Sequence, residues 1–127
     1  MPRQPVHTDR APAAIGPYSQ AVQRGGMVFL SGQIPLDPSS GLIVEGDIEV
    51  QARRAFDNLR AVCEAAGGTL DDVVRLGLYL TDLGQFAQVN QVMAEYFTAT
   101  FPARSTIGVA ELPLDAAVEV EGMFEVQ

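Results

Sequence analysis

"MVFLSGQI", Met27–Ile34, is the stretch from which the fold is read. Its residues alternate as a strand: Val28, Leu30 and Ile34 fall on one side, and Met27, Phe29, Ser31 and Gln33 on the other. The first side is apolar and needs cover. The second mixes an aromatic ring and a thioether with hydroxyl and amide groups. "PLDPSSG" (Pro35–Gly41) is turn chemistry and ends the strand.

Working outward, the sequence supplies that cover. Asp47 is placed to cap a helix. Its apolar residues Ile48, Ala52, Ala55, Phe56, Leu59, Val62, Cys63 and Ala66 recur at helical spacing until Gly67–Gly68 stops it. "VVRLGLYL" (Val73–Leu80) is a second strand, with Val74, Leu76, Leu78 and Leu80 expected on one face. A second helix starts near Gly84, carries Phe86, Val89, Met93 and Phe97 as its stripe, and stops before Pro102. "STIGV" and "AAVEVEGMFEV" are closing strands. Residues 1–14, rich in Pro and polar groups, read as a loose lead-in to one domain spanning 1–127.

The order strand, helix, strand, helix, strand, strand is an α+β chain whose two helices cover one face of a sheet. The other face would carry Met27, Phe29, Ser31, Gln33, Gly77, Tyr79, Glu119, Glu121 and Met123. That set is too apolar for free solvent and too polar for a core. It implies a homo-oligomer with polar groups lining a shared cleft; the alternative is a monomer with a mixed solvent face.

Composition narrows the partners. The chain has 127 residues, is 47% hydrophobic and carries a formal net charge of −8. Its eight basic residues are all Arg and are scattered, which argues against nucleic acid or an anionic membrane as partner. The single Cys, Cys63, allows no intrachain disulfide and suits a reducing compartment. No apolar run resembles a secretory signal or a membrane span, so a soluble cytoplasmic protein is expected.

Chemistry has few candidates. Arg104, in "FPARSTIGVAELP" (Phe101–Pro113), is a cation where a strand should enter the core. A guanidinium there suits a carboxylate ligand, although an ordinary Arg–Glu pair has the same signature. Glu119 could serve as acid or base if burial raises its pKa, or could be a plain solvent-face Glu. Tyr18 and Ser31 offer hydroxyls. Gly32 allows close backbone approach or marks a bulge, and Asn90 sits beside an apolar stripe. Cys63 reads as core. His7, the only His, lies in the lead-in, and no CxxC, HxxxH or phosphate-binding glycine loop is present, so neither metal nor cofactor is expected.

Together these segments resemble the Rid/YjgF family. The resemblance is carried by "APAAIGPYSQAV" (Ala11–Val22), "SGQIPLDPSSG" (Ser31–Gly41), "QARRAFDNLRAVCEAAGG" (Gln51–Gly68), "DLGQFAQVNQVMAEYF" (Asp82–Phe97), "FPARSTIGVAELP" and "VEVEGMFEV". It implies a chorismate mutase-like fold, a mixed sheet with two helices on one face, assembled as a homotrimer with clefts between subunits. It implies hydrolytic deamination, without a cofactor, of enamines and imines such as 2-aminoacrylate that pyridoxal-phosphate enzymes release. Arg104 matches the family arginine that holds the substrate carboxylate, and Glu119 the glutamate thought to activate water. Tyr18, Ser31 and Asn90 match other polar pocket residues, and Gly32 and Thr106 match positions near the ligand. Met93 stands where many members carry Tyr, Thr106 where some have Cys, and Gly122-Met123-Phe124 where the family often runs Ala-Ile-Ala. A binding protein without turnover, and an RNA-cleaving translation inhibitor, are the competing functions.

Overall fold

A computed structural model of the chain describes residues 2–126. Helix α1 (Ile48–Ala65) begins where Asp47 caps it: the carboxylate accepts from the Val50 amide at 3.0 Å, a contact worth about 1 kcal/mol. It ends at Gly67, whose φ of 92° lies in the left-handed region, and the Gly68 amide donates back to the Cys63 carbonyl at 3.0 Å. The buried face is Ile48, Ala52, Ala55, Phe56, Leu59, Val62 and Cys63, as the spacing predicts, with Asn58 and Ala61 beside it. Burial pushes the Cys63 thiol up to about 12, with the charges of Asp72 and Glu64 adding to the shift. Native protein at pH 8 should therefore leave a thiol reagent unreacted, and denatured protein should take up one equivalent. Rapid native labelling would contradict this burial.

Helix α2 (Phe86–Tyr96) follows a short 3-10 turn, Leu83–Gln85, capped by Asp82. The two helices meet through aromatic rings. Phe56 stacks on Tyr96 at 5.4 Å between centroids and meets Phe97 edge-on at 5.9 Å. The Arg53–Glu95 pair, at 2.8 Å, ties the helices at the surface.

Six strands form one sheet: β1 (Gln4–Val6), β2 (Ala21–Arg24), β3 (Met27–Gln33), β4 (Val73–Leu80), β5 (Ala103–Gly108) and β6 (Val118–Glu125), in the order β1-β2-β3-β6-β4-β5. Only β4 and β5 are parallel neighbours. Both β3 and β4 run antiparallel to β6, so they are parallel to each other. The crossovers through α1 and α2 place both helices on one face, over Val28, Leu30, Leu76, Leu78, Leu80, Val118, Val120 and Phe124. The uncovered face carries Phe29 and Ile107, 44% and 48% exposed, and Tyr79 donates to Glu121 across it at 2.8 Å.

Three expectations need correction. Residues 1–14 are not simply a loose lead-in, because β1 pairs with β2, from Gln4 opposite Gln23 to Val6 opposite Ala21. The buried Gln20 amide also ties this segment down. It donates to the carbonyls of Thr8 (3.0 Å) and Pro12 (2.8 Å) and accepts from the Thr8 amide (2.7 Å). Strands of three and four residues, one containing Pro, offer too little alternation to be seen in sequence.

Second, β3 does not alternate to its end. Leu30 lies opposite Gly122 and Gln33 opposite Val120, three steps against two. Ser31 and Gly32 share a β-bulge, so Gln33 turns onto the helix-covered side and is 5% exposed, while Ile34 lies past the strand. Third, β4 bulges between Val73 and Arg75. Val73 takes the buried position, and Val74 is 55% exposed.

Candidate functional site

Arg104 lies on the edge strand, which explains a guanidinium in a strand sequence. In the parallel β4–β5 pair, Arg104 is opposite Leu76 and Thr106 opposite Leu78, so both side chains are on the helix side of the sheet, at its rim. There α2 holds the arginine. Nη1 donates to Asn90 Oδ1 at 2.7 Å and lies 3.2 Å from Met93 Sδ, and Cζ sits 5.2 Å from the Phe86 ring centroid. Phe86, Asn90 and Met93 are one helical face, which fixes the guanidinium plane. Among the described residues, no carboxylate lies within ion-pair distance of Arg104. A groove of about 450 Å³ opens beside it, between Met93, Ala94, Phe101 and Pro102. Thr106, two residues on, has the one buried side-chain oxygen without a hydrogen-bond partner among the described residues.

The second group forms elsewhere. Glu119 pairs with Tyr79 on the face away from the helices. Its carboxylate folds across Gly32, and a Cβ at that glycine would collide with it. Burial, followed by the Glu121 charge, raises the Glu119 pKa above the ordinary value of 4.5. A cavity of about 120 Å³ joins Glu119 to Tyr18, Gly32, Gln33, Gln20 and Pro113. The Tyr18 hydroxyl accepts weakly from the Ile15 amide at 3.4 Å. Ser31 donates to the Ser19 carbonyl and lines, with Tyr18, Phe29 and Arg3, a wider groove of about 710 Å³.

The fold thus brings Arg104 to Asn90, with Thr106 along the same strand, and brings Tyr18 and Gly32 to Glu119, with Ser31 adjacent. It does not bring the two sets together. From β5 to β3 is three strand spacings, roughly 14 Å, and Arg104 and Glu119 face opposite sides of the sheet. Sequence reasoning put Gln33 on the open face with Glu119, whereas the bulge at Ser31–Gly32 turns it to the helix-covered side, where it is buried. It also missed the support of Arg104 by Phe86 and Met93, although their spacing with Asn90 was legible. Among the described residues no three of His, Cys, Asp and Glu cluster as metal ligands.

The sequence profile of a family described as endoribonuclease L-PSP matches residues 8–126. Protein DfrA of Myxococcus xanthus is 52% identical over 125 residues, covering 97% of this chain and 95% of its own. The 2-iminobutanoate/2-iminopropanoate deaminase of Salmonella typhimurium is 47% identical over 121 residues, covering 93% and 94%. RidA from an Antarctic Psychrobacter superposes with a TM-score of 0.94 at 45% identity, over 98% of this chain and all of the other. By profile, by sequence and by backbone, the chain belongs to the Rid/YjgF family.

Proposed function

We propose that this protein hydrolyses reactive 2-imino and 2-enamino acids, such as 2-aminoacrylate and its imine tautomer, to 2-keto acids and ammonium. The work is done in clefts between copies of the chain, most simply three around an axis. One observation carries the reading: a guanidinium held by α2 without an anionic partner among the described residues, and a carboxylate with a raised pKa over a glycine, sit on opposite sides of one sheet. Each is half of a site for a small anion with an electrophilic carbon. The deaminase name of a relative 47% identical supports the same chemistry.

Arg104 of one copy pairs its free donors with the substrate carboxylate and fixes the imine carbon near Glu119 of the next. Water attacks that carbon, and the C=N π electrons move to nitrogen. Glu119 takes a proton from the water and returns it to the amine, and collapse to the ketone breaks the C–N bond. Iminium, water, keto acid and ammonium balance without a cofactor. The uncatalysed reaction is already quick, so a modest acceleration suffices. The family profile's description as an endoribonuclease raises RNA as a second substrate, but a net charge of −8 with scattered arginines opposes it.

The test supplies 2-aminoacrylate from a serine dehydratase-type enzyme and L-serine and follows its decay to pyruvate. Wild type is expected to accelerate that decay; no acceleration over buffer, with the intermediate confirmed present, overturns the reading. Saturable 2-keto acid binding without turnover would point to a sensor. The intersubunit cleft has its own test. Arg104→Ala and Glu119→Gln chains, each inactive alone, should recover roughly a quarter of wild-type activity when unfolded and reassembled at equal ratio, because one site in four then combines an intact half from each. No recovery would place both residues in one chain's site.

A further inference from the structure

The groove of about 450 Å³ beside Arg104 offers more than a grip on a carboxylate. Asn90 and Arg104 are its polar wall, and Met93, Ala94, Phe101 and Pro102 are the rest of its lining. Those four side chains are apolar, yet only Met93 is buried. Ala94 is exposed, and Phe101 is 55% exposed.

The chain sets the two kinds of surface side by side. Phe101 and Pro102 lead directly into β5, where Arg104 is the second residue. Met93 and Ala94 lie on α2, one turn beyond Asn90. Met93 serves both surfaces, because its Sδ lies 3.2 Å from Arg104 Nη1 and its side chain also lines the groove. A carboxylate seated on the guanidinium therefore starts next to apolar surface. A molecule that matches both has an anionic head and an apolar body. The methyl group of 2-iminopropanoate covers little of such a surface, since sites of roughly 300–1,000 Å³ take ligands of many more atoms. A larger side chain releases the water that otherwise lies against Met93 and Phe101. The methionine adapts to a branched or a flat group, and both its sulfur and the Phe101 ring attract aromatic ones.

We propose that this groove is the side-chain subsite of the enzyme and selects 2-imino acids with a large apolar side chain, branched aliphatic or aromatic, over the methyl-bearing substrate. The inference rests on the hydrolysis proposed above, with Arg104 holding the carboxylate. Charge complementarity names the occupant. The guanidinium calls for an anion, and among the described residues no carboxylate pairs with it. An apolar segment of a second copy would cover the wall and leave that charge unmatched. Ala94 is the specificity-determining position, because its small side chain keeps the helix side of the groove open.

The experiment compares kcat/KM for the imines of alanine, leucine and phenylalanine. A D-amino-acid oxidase with catalase makes them in place, and the planar imine carbon keeps no configuration. Semicarbazide traps the imine that escapes hydrolysis, and the fall in semicarbazone gives kcat/KM. Wild type is expected to favour the leucine and phenylalanine imines over the alanine imine by about tenfold or more. One methylene in an apolar pocket is worth roughly 10-fold to 200-fold, and the walls here stay partly exposed. Ala94→Phe fills the groove and should bring the ratio to about one. Phe101→Ala removes a wall and should lower it about threefold. Both positions are exposed, so thermal melts should stay near wild type, and each variant tests the idea without the other. A wild-type ratio near one overturns the proposal; if Ala94→Phe then also dissociates the protein on gel filtration, a second copy is the occupant. A ratio that both variants leave unchanged overturns it as well. A wild type inactive on all three imines overturns the hydrolysis instead, so the two failures are distinct.

Discussion

Arg104→Ala is expected to lower kcat/KM for a 2-imino acid by about a hundredfold or more, about 2.7 kcal/mol of transition-state stabilisation at the least. Nη1 is committed to Asn90 and Met93, so Nη2 and Nε are left to grip a carboxylate. Two charge-assisted hydrogen bonds at roughly 1.5–3 kcal/mol each account for the loss once the cleft excludes water. Arg104→Lys should recover only part, because an ammonium keeps the charge and loses the fork. The fold should not notice, since Arg104 is exposed on an edge strand and makes no ion pair among the described residues. Steady-state kinetics paired with thermal melts check both halves. Unchanged kcat/KM in Arg104→Ala would remove the arginine from substrate binding, and a large drop in melting temperature would make its role structural.

Glu119→Gln should separate activity from stability. Loss of the proposed proton acceptor is expected to lower kcat by roughly a hundredfold to ten-thousandfold and to leave KM nearly unchanged. Stability moves the other way. Burial and Glu121 raise the folded-state pKa of Glu119 above 4.5, so the folded chain holds that proton more tightly than the unfolded chain does. The associated stabilisation is complete below the unfolded pKa and is lost as pH rises through the folded value. At neutral pH the ionised carboxylate therefore strains the fold, and the glutamine removes both its desolvation and its repulsion from Glu121. The variant should melt above wild type at neutral pH, with the gap closing as pH falls through the raised folded-state pKa and gone once pH is below the ordinary 4.5. Melts across that range and a kcat profile are the measurements. A variant with wild-type kcat would exclude Glu119 from water activation, and one that melts lower at neutral pH would contradict the raised pKa.

What the sequence made legible follows from how local each signal is. The α1 stripe, the Asp47 cap and the Gly67 stop are nearest-neighbour effects, and all three stand. Alternation in β6 put Glu119, Glu121 and Met123 on the open face, where the structure has them, and Val118, Val120 and Phe124 lie under the helices. Alternation failed at Val74 and Gln33, where a single extra residue shifts every later side chain to the other face. The glycine that tolerates the β3 bulge was visible, but its register was not. In the same way, the resemblance named Arg104, Asn90 and Glu119, but only the register of β5 and β6 against β4 puts arginine and glutamate on opposite sides of the sheet.

Under the proposed function, that placement would make turnover a collective property. If each reaction needs an arginine from one chain and a carboxylate from another, activity per molecule depends on how concentrated the protein is. On dilution below the association midpoint, rates should fall faster than in proportion, while each chain keeps its helices and its buried core. Enzyme level would then act as a threshold rather than a dial, and a small change in expression would switch the whole cleft population on or off.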